Sequence, residues 1–573
     1  MSNPQQMSIV HGIPLQNEPG LGSLTIPGYL RDVSSRFAER EALVMHTPSS
    51  VERWTYATLW QKSVEVAKAL IACGVGKDSR VGILMTNRPE YLAALFGTGL
   101  AGGVSVALST FSTADELQYL LNASSVSVLL FEGRVLKKDF GAVLADLEPL
   151  ISAALPGQIR STKFPFLHHL VRLDSAAGDS SEGDALASSF VPWSDFLARG
   201  GDIPDAMVNA RAAAVTPADA GGLFFSSGTT SLPKGILHAQ RAFAIQWWRY
   251  PYLMNVDGVV RSWTGNGFFW SGNIAMTVGV ALSTGGAVVL QPYFVPEMAL
   301  KLMEVERVNF LSGRPHQWAR LQAAANWMTA DLSSLRYITR MDLLLTHPTV
   351  KTDWRVPMAY GATETMTINT SDAANTTPEE KAGSFGMPLA GNILKIVDPE
   401  SGAVVPRGSR GEVCIKGPTL MLGYIGKTTE ETFDDEGYFH TGDGGYVDDV
   451  GRFYWEGRLT EIIKTGGANV SPLEIDGILA TYPGVRRAQT VGVPHDTLGE
   501  MVVSCIVPQE GGAIDGEAVR RFLKDRLASY KVPRCVLVLR EDEVAVTGNG
   551  KVKAAELQQL VVRRLKAQPA AMN

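Results

Sequence analysis

The chain has 573 residues, 45% of them hydrophobic and 19% charged, with a net charge of −6. That is an ordinary globular composition, long enough for about two to four domains with several buried cores. An acidic balance without a long Lys/Arg stripe excludes a nucleic-acid binder.

Read from its start, Met1–Gly20 lacks a basic stretch followed by an apolar core, and the closing KAQPAAMN carries no lipidation or peroxisomal address. The expected location is therefore cytoplasmic. Arg80–Met85 (RVGILM) suits a buried parallel strand. Asn87–Gly103, with Pro89 near its start and glycines at its end, suits a helix, and Val104–Leu108 returns as a strand to complete a βαβ unit. Asp115–Asn122 and Val126–Phe131 repeat the order. Asp174–Ser189 is small, polar and acidic, and reads as a surface loop. The most apolar long stretch, Ile274–Leu290, is broken by Ser283, Thr284, Gly285 and Gly286. It reads as a buried helix followed by a buried strand rather than a membrane span; contact with a membrane surface stays open.

A boundary is expected near residue 458, giving an N-terminal domain over 1–457 and a C-terminal domain over 458–573. Gly437–Arg458 is turn-rich, and roughly 115 residues remain after it, enough for a small domain. Strands at Val502–Val507 and Cys535–Leu539 and a helix at Gly516–Ser529 mark that part as mixed α and β. The fold class expected is α/β: a large N-terminal domain of layered βαβ subdomains plus a small mobile α+β C-terminal domain. The four cysteines, Cys73, Cys414, Cys505 and Cys535, form no CxxC pair and have no histidine at metal spacing, so they read as free buried thiols.

The most chemically loaded segment is Phe224–Gly235, FFSSGTTSLPKG. A strand end runs into hydroxyls, a glycine and a lysine. Glycine lets backbone amides approach an anion, Ser and Thr donate to phosphate oxygens, and Lys234 adds charge. An ordinary P-loop is excluded, because Pro233 precedes the lysine and Gly235 follows it.

SSGTTSLPKG closely resembles the phosphate loop of the adenylate-forming (AMP-binding) superfamily, which includes acyl-CoA synthetases, peptide-synthetase adenylation domains and luciferases. The resemblance continues in order along nearly the whole chain. Tyr360–Glu364 (YGATE) is similar to the aromatic-Gly-x-Thr-Glu motif, and Tyr438–Asp443 (YFHTGD) to the Thr-Gly-Asp motif. Glu456–Glu474 is similar to the hinge and the start of the C-terminal domain, and Thr547–Lys553 (TGNGKVK) to the terminal Gly-x-Gly-Lys motif.

What this resemblance implies is an acid–CoA ligase of the acyl-CoA synthetase branch, using ATP, Mg²⁺ and coenzyme A. Ser226, Ser227, Gly228, Thr229, Thr230 and Lys234 would hold the nucleotide's phosphates. Glu364 would hold Mg²⁺, a hard cation that favours carboxylate oxygens. Thr363 would donate to the α-phosphate. Tyr360, followed by Gly361, would lie against adenine. Asp443 would accept the ribose hydroxyls with Arg458 beside it. Lys551 would bridge the substrate carboxylate and the α-phosphate, where two anions meet. After pyrophosphate leaves, the small domain would rotate, withdrawing Lys551 and bringing in Gly466 and Gly467 to line the thiol's tunnel, with Lys464 on the adenylate. Transfer to a carrier protein, or a catalytically weak regulatory homologue, are the alternatives. A homodimer stays open.

Four places depart from the family pattern. Ser231 stands where glycine is usual, YITRMDLLLTHP replaces the Gly-Gly-Ala-Pro adenine loop, Thr460 holds the hinge position, and Trp270 replaces a frequent histidine. Gly265–Asn273, Leu311–Trp318 and Met358–Thr367 would line the acid pocket, with Trp270 and Gly361 among the lining residues. Their aromatic and small side chains favour a hydrophobic acid, aryl, arylalkyl or fatty.

Overall fold

A strand that is apolar on both faces must be covered on both. Val128–Glu132 is such a strand, buried along its whole length. In the computed structural model, which describes residues 6–47, 50–155, 157–173, 189–226, 233–339, 344–459, 463–465, 468–495, 498–527, 531–546 and 552–567, it lies inside an eight-stranded sheet. The order is Val191–Pro192, His169–Leu173, Val128–Glu132, Arg80–Leu84, Val104–Ala107, Ala220–Phe225, Gly235–Ala239, Gly423–Tyr424. Pairing is parallel as far as Ala220–Phe225 and antiparallel over the last two strands. A second sheet runs Tyr337–Ile338, Phe310–Ser312, Arg261–Thr264, Ala287–Leu290, Glu41–His46, Val51–Thr55, parallel except for its last pair.

Alternation along each strand sends neighbouring side chains to opposite faces. Val128 and Leu130 join the largest core, whereas Leu129 and Phe131 enter a second one on the other face. Val288 and Leu290 join the same largest core from the second sheet, and Val289 faces a third. The two sheets thus cover one helical layer between them, formed by Ile26–Arg36, Tyr56–Ala72, Pro89–Leu100 and Gln240–Leu253. Pro89–Leu100 is buried on every side. It fits because Gly97 has no side chain: a Cβ there would stand 2.8 Å from Val66 and 2.9 Å from the Ser63 carbonyl.

The expected βαβ unit is present as Arg80–Leu84, Pro89–Leu100 and Val104–Ala107, the two strands adjacent and parallel. The 274–290 stretch forms a helix and a strand, but the helix opens on a π-helical turn, Asn273–Val278, before Gly279–Ser283. The loop expected over Asp174–Ser189 lies outside the described residues except for Ser189. Among the described residues no helix is long and apolar enough to cross a membrane.

Beyond the two large sheets, an antiparallel sheet joins Ile9–His11, Ile393–Val397, Gly411–Lys416, Phe439–Val447 and Phe453–Arg458. The C-terminal part builds its own sheet from Ala468–Val470, Ile463–Thr465, Gly499–Pro508, Val485–His495 and Cys535–Val538, with helices Pro472–Leu479, Gly516–Lys524 and Ala554–Ala567 and its own apolar clusters. A large N-terminal unit and a small C-terminal one are therefore both α/β in content.

All four cysteines are free. One of them corrects the reading that no histidine lies at metal spacing. Cys414 faces His440 across paired strands, Sγ to Nδ1 3.5 Å, and the Glu412 carboxylate is 2.8 Å from the same nitrogen. Distance along the chain, 26 residues, conceals this neighbour. Burial pushes the Cys414 thiol well up, so it keeps its proton, and the group acts as a hydrogen-bonded clasp between strands.

One buried ion pair anchors the N-terminal segment to the helical layer. Arg249 on Gln240–Leu253 donates to both oxygens of Glu18, at 2.5 and 2.7 Å, and to the Ala390 carbonyl at 2.9 Å. Arg249 is 2% and Glu18 9% exposed. Replacing Glu18 by Gln leaves a buried guanidinium without its counter-charge, a loss of about 3 kcal/mol or more. Calorimetry should show the first melting transition of Glu18→Gln several degrees below that of the parent protein.

Candidate active site

The hydroxyl-rich loop leaves the Ala220–Phe225 strand and returns as Gly235–Ala239. Of its expected phosphate-binding residues, Ser226 and Lys234 are described, and they close its mouth. The Ser226 amide donates to the Lys234 carbonyl at 3.0 Å, and the Lys234 amide donates to the Ser226 hydroxyl at 3.1 Å. The Lys234 ammonium stands over the Tyr424 ring, 5.2 Å from its centre. Tyr424 in turn donates its hydroxyl to Glu364 Oε1 at 2.7 Å. The loop's lysine and the expected metal-binding carboxylate are thus joined through one aromatic ring. Sequence reasoning missed Tyr424, which the antiparallel pairing of Gly423–Tyr424 with Gly235–Ala239 brings there.

The Tyr360–Glu364 segment has little regular structure of its own. It holds a two-residue strand, Ala359–Tyr360, and a single 3₁₀ turn, Thr363–Thr365. Side chains satisfy its carbonyls instead. His238 Nε2 donates to the Thr363 carbonyl at 2.8 Å. Gln246 Nε2 donates to Met366 and Ile368 carbonyls at 2.8 and 3.0 Å. A carbonyl only accepts, so His238 carries a proton on Nε2; complete burial outweighs this bond and pulls its pKa down to about 4, which keeps the ring neutral near pH 7. Gly361 is required by close approach: a Cβ there would lie 1.6 Å from the Thr367 carbonyl oxygen. Met366 and Thr367 beyond it hold positive φ of 49° and 88°, a backbone state uncommon outside glycine. The signal that could have revealed His238 is a lone histidine inside an apolar strand, GILHA, directly after the loop.

Asp443, on Phe439–Val447, accepts the Tyr360 hydroxyl on Oδ2 at 2.5 Å and faces Arg458 Nε at 3.1 Å from Oδ1. Strand register sets the Asp443–Arg458 pair directly opposite each other. Arg458 also donates to the Thr441 carbonyl at 2.6 Å. Asp443 is only 5% exposed, and burial raises its pKa, opposed by the Tyr360 hydrogen bond and the Arg458 charge. Burial, together with the Asp443 charge, holds the Tyr360 phenol well above its usual range. The Tyr360 ring packs on Phe453, 4.9 Å between centres.

Lys464 lies exposed on Ile463–Thr465, its amide donating to Glu500 at 2.7 Å. Ser227, Gly228, Thr229, Thr230, Ser231, Thr460, Gly466, Gly467 and Lys551 lie outside the described residues, as does 340–343 in the replaced adenine loop.

The loops expected to line an acid pocket leave neighbouring parallel strands. Thr264 and Ser312 share a register at the ends of Arg261–Thr264 and Phe310–Ser312. The chain runs from the first strand to Ala287–Leu290 on one side and returns to Phe310–Ser312 on the other. Such a switch in strand order leaves a crevice beyond the carboxyl ends. Gln317 spans it, donating to the Gly265 carbonyl at 2.7 Å and accepting from the Arg314 amide at 2.9 Å. Asn87 holds the first loop, donating to the Asn266 carbonyl at 2.7 Å and accepting from the Phe268 amide at 2.9 Å. Trp270 is partly buried against the main core. A Cβ on Gly272 would stand 4.0 Å from Thr367, so this loop adjoins the turn after Glu364.

The chain as a whole has counterparts among known proteins. Residues 30–425 match the family described as AMP-binding enzyme, and residues 474–551 match the AMP-binding enzyme C-terminal domain. The chain belongs to the AMP-binding enzyme family. An indoleacetate–CoA ligase of Aromatoleum aromaticum is 31% identical to it, over 92% of this chain and 95% of that one. A feruloyl-CoA synthase of an Amycolatopsis species is 30% identical, over 88% and 93%. The solved structure of the anthranilate CoA ligase AuaEII in complex with anthranoyl-AMP matches with a TM-score of 0.71 at 22% identity, over 97% of this chain and 100% of that one, a likeness of fold.

Two outcomes follow from the titrating groups. The unfolded chain protonates His238 near its ordinary value of 6.5, whereas the folded chain resists until about 4. Stability is therefore lost as pH falls through that window, and His238→Gln should flatten this acid slope in melting temperature against pH. Tyr360→Phe removes the hydrogen bond that lowers the Asp443 pKa. Asp443 should then protonate at higher pH, and titration calorimetry should show the acid-side loss of ATP affinity moving upward.

Proposed function

We infer that this chain is an ATP-dependent acid–CoA ligase. A carboxylate oxygen attacks the α-phosphorus of ATP, the bond to the bridging oxygen of pyrophosphate breaks, and an acyl-adenylate forms. The sulfur of coenzyme A then attacks the acyl carbon, and AMP leaves with the electron pair of the broken carbon–oxygen bond. The observation that carries this reading is the linkage of Lys234, Tyr424 and Glu364 on one side and of Tyr360, Asp443 and Arg458 on the other, both contributed by the Tyr360–Glu364 segment. The relatives' printed activities, CoA ligases of indoleacetate and ferulate, support it.

The tasks of the described residues follow from their surroundings, and those of the others from the motifs they belong to. Asp443 holds one protein donor near each oxygen, and each oxygen keeps a second acceptor site for a ribose hydroxyl. Lys234 and the loop's hydroxyls and amides, from Ser226 through Ser227, Gly228, Thr229 and Thr230, receive the phosphates. Glu364, a carboxylate at the half-buried turn beside Thr363, is a hard oxygen donor suited to Mg²⁺. The ion would neutralise phosphate charge there. Lys551 brings a cation between two anions in the first step, and Lys464 with Gly466 and Gly467 serves the second.

The proposed domain division is 1–457 and 458–573. Arg458 ends a strand of the N-terminal antiparallel sheet, and Ile463–Thr465 already pairs within the C-terminal one, which supports a hinge between them, just past the proposed cut. The acid is a hydrophobic one, aryl, arylalkyl or fatty, met in the cytoplasm.

Lys551→Ala should abolish acid-dependent exchange of pyrophosphate into ATP while the melting temperature stays that of the parent. Normal exchange by the variant would overturn the role given to Lys551. A panel of acids scored for AMP release should show release only when coenzyme A is present; release driven by a phosphopantetheinylated carrier protein instead would redirect the second step.

A further inference from the structure

Two strands of the N-terminal antiparallel sheet bring sulfur, nitrogen and oxygen donors together. Cys414 on Gly411–Lys416 stands directly opposite His440 on Phe439–Val447, with Sγ 3.5 Å from Nδ1. Glu412 lies two residues before Cys414 and so on the same face, its Oε2 2.8 Å from the same Nδ1. One donor atom of each side chain lies within 4.8 Å of those of the other two. Strand pairing causes this convergence. Glu412 pairs with Gly444 and Cys414 with His440, so Val413 alone faces Thr441, Gly442 and Asp443. The extra residues form a bulge, which re-aims the side chains around it.

A thiolate, an imidazole and a carboxylate are a donor set for a borderline divalent ion of the zinc class, and a poor one for Mg²⁺, which favours oxygen. Tetrahedral coordination by such an ion sets the S–N and N–O separations at about 3.3 to 3.6 Å. Cys414 and His440 already stand at that separation. The Glu412 oxygen has to move away from Nδ1 by about half an ångström. Thiolate and carboxylate together cancel the ion's two charges.

Two of the three ligands are also held from behind. Glu412 Oε1 accepts the Gly442 amide at 3.1 Å, which leaves Oε2 turned toward His440. With Nδ1 on the ion, the imidazole keeps its proton on Nε2, and the Asp434 carboxylate lies 3.6 Å from that nitrogen. A carboxylate there is a common partner of a metal-bound histidine. Lys395 faces Cys414 from the other neighbouring strand, but Asp434 and Glu436 neutralise it at 2.9 and 2.6 Å. Cys414 is fully buried and His440 40% exposed, so the ion's remaining position opens to water on the His440 side.

We propose that Cys414, His440 and Glu412 bind one zinc-class divalent ion through Sγ, Nδ1 and Oε2, with water in the fourth position. A coordinating thiol is deprotonated outright: the S–H bond breaks, a metal–sulfur bond forms and the proton goes to solvent. The ion ties the two strands at the foot of the bulge that carries Asp443. This site does not depend on the acid–CoA ligase reading.

Co²⁺ is the probe, because a thiolate bound to it absorbs in the near ultraviolet. The full-length protein, reduced and stripped with chelator, is titrated with Co²⁺ in excess Mg²⁺, which fills sites built of oxygen alone. One equivalent of Co²⁺ should produce the thiolate band, and one equivalent of Zn²⁺ should erase it. Cys414→Ser should abolish the band. His440→Gln and Glu412→Gln should each weaken Co²⁺ binding by at least about tenfold. Both change partly exposed side chains, so they report even where Cys414→Ser lowers the yield of folded protein. Absence of a thiolate band in the parent protein, its persistence in Cys414→Ser, or an affinity unchanged in both His440→Gln and Glu412→Gln overturns the assignment.

Discussion

The segment from Tyr360 to Ile368 turns back on itself without a helix or long strand to satisfy its backbone. Its carbonyls must nonetheless be paired, because an orphaned buried acceptor costs about as much as a lost hydrogen bond. The donors come from two elements that pack into the core: His238 on Gly235–Ala239 and Gln246 on Gln240–Leu253. These are consecutive in the chain and follow directly on the hydroxyl-rich loop. The same stretch that returns from the loop therefore fixes where Thr363 and Glu364 stand. Two positive-φ residues, Met366 and Thr367, persist because these side-chain bonds and the space left by Gly361 over-determine the turn.

From that turn the electrostatics of the site follow. Tyr360 can reach Asp443 only from this backbone path, and burial gives their hydrogen bond its strength, since low local dielectric increases the interaction of a charged acceptor with a nearby donor. Burial also disfavours the ionised carboxyl, and two opposing effects act on Asp443: desolvation raises its pKa, while the phenol and Arg458 lower it. Arg458 is half-exposed, so its charge is partly screened and the Tyr360 bond carries more of the compensation. A ligand hydroxyl would add a further donor and favour the ionised form in the same way.

Much of this organisation was legible in the residues, and the rest was hidden for identifiable reasons. The short apolar run Arg80–Met85 and the Pro and Gly punctuation around Pro89–Leu100 suffice to read the βαβ unit, because local chemistry decides both. Ser226 and Lys234 could be marked because hydroxyl, glycine and lysine together suit an anion. Tyr424 and His238 could not, since each acts on a partner far along the chain: 60 residues separate Tyr424 from Glu364 and 125 separate His238 from Thr363. Pairing across strands likewise brought Cys414 to His440, which no along-chain spacing expresses. The π-helical start at Asn273 was missed because one wider turn leaves the apolar pattern almost unchanged.

The acid crevice is built on a different principle from the Tyr360–Ile368 turn. Two surface-side loops are tied by Gln317 and Asn87, one side chain each. Bonds of this kind hold loop positions without committing the side chains that face the crevice, so those side chains can vary while the turn stays constant. The two regions meet where Gly272 approaches the Thr367 methyl group, at the very residue whose φ is 88°. A Cβ at 272 would make only ordinary van der Waals contact with that methyl group, so the two regions touch there without being locked together. The choice of acid is thus separable from the turn that carries Glu364, whose path is fixed at Gly361, where a Cβ would stand 1.6 Å from the Thr367 carbonyl oxygen.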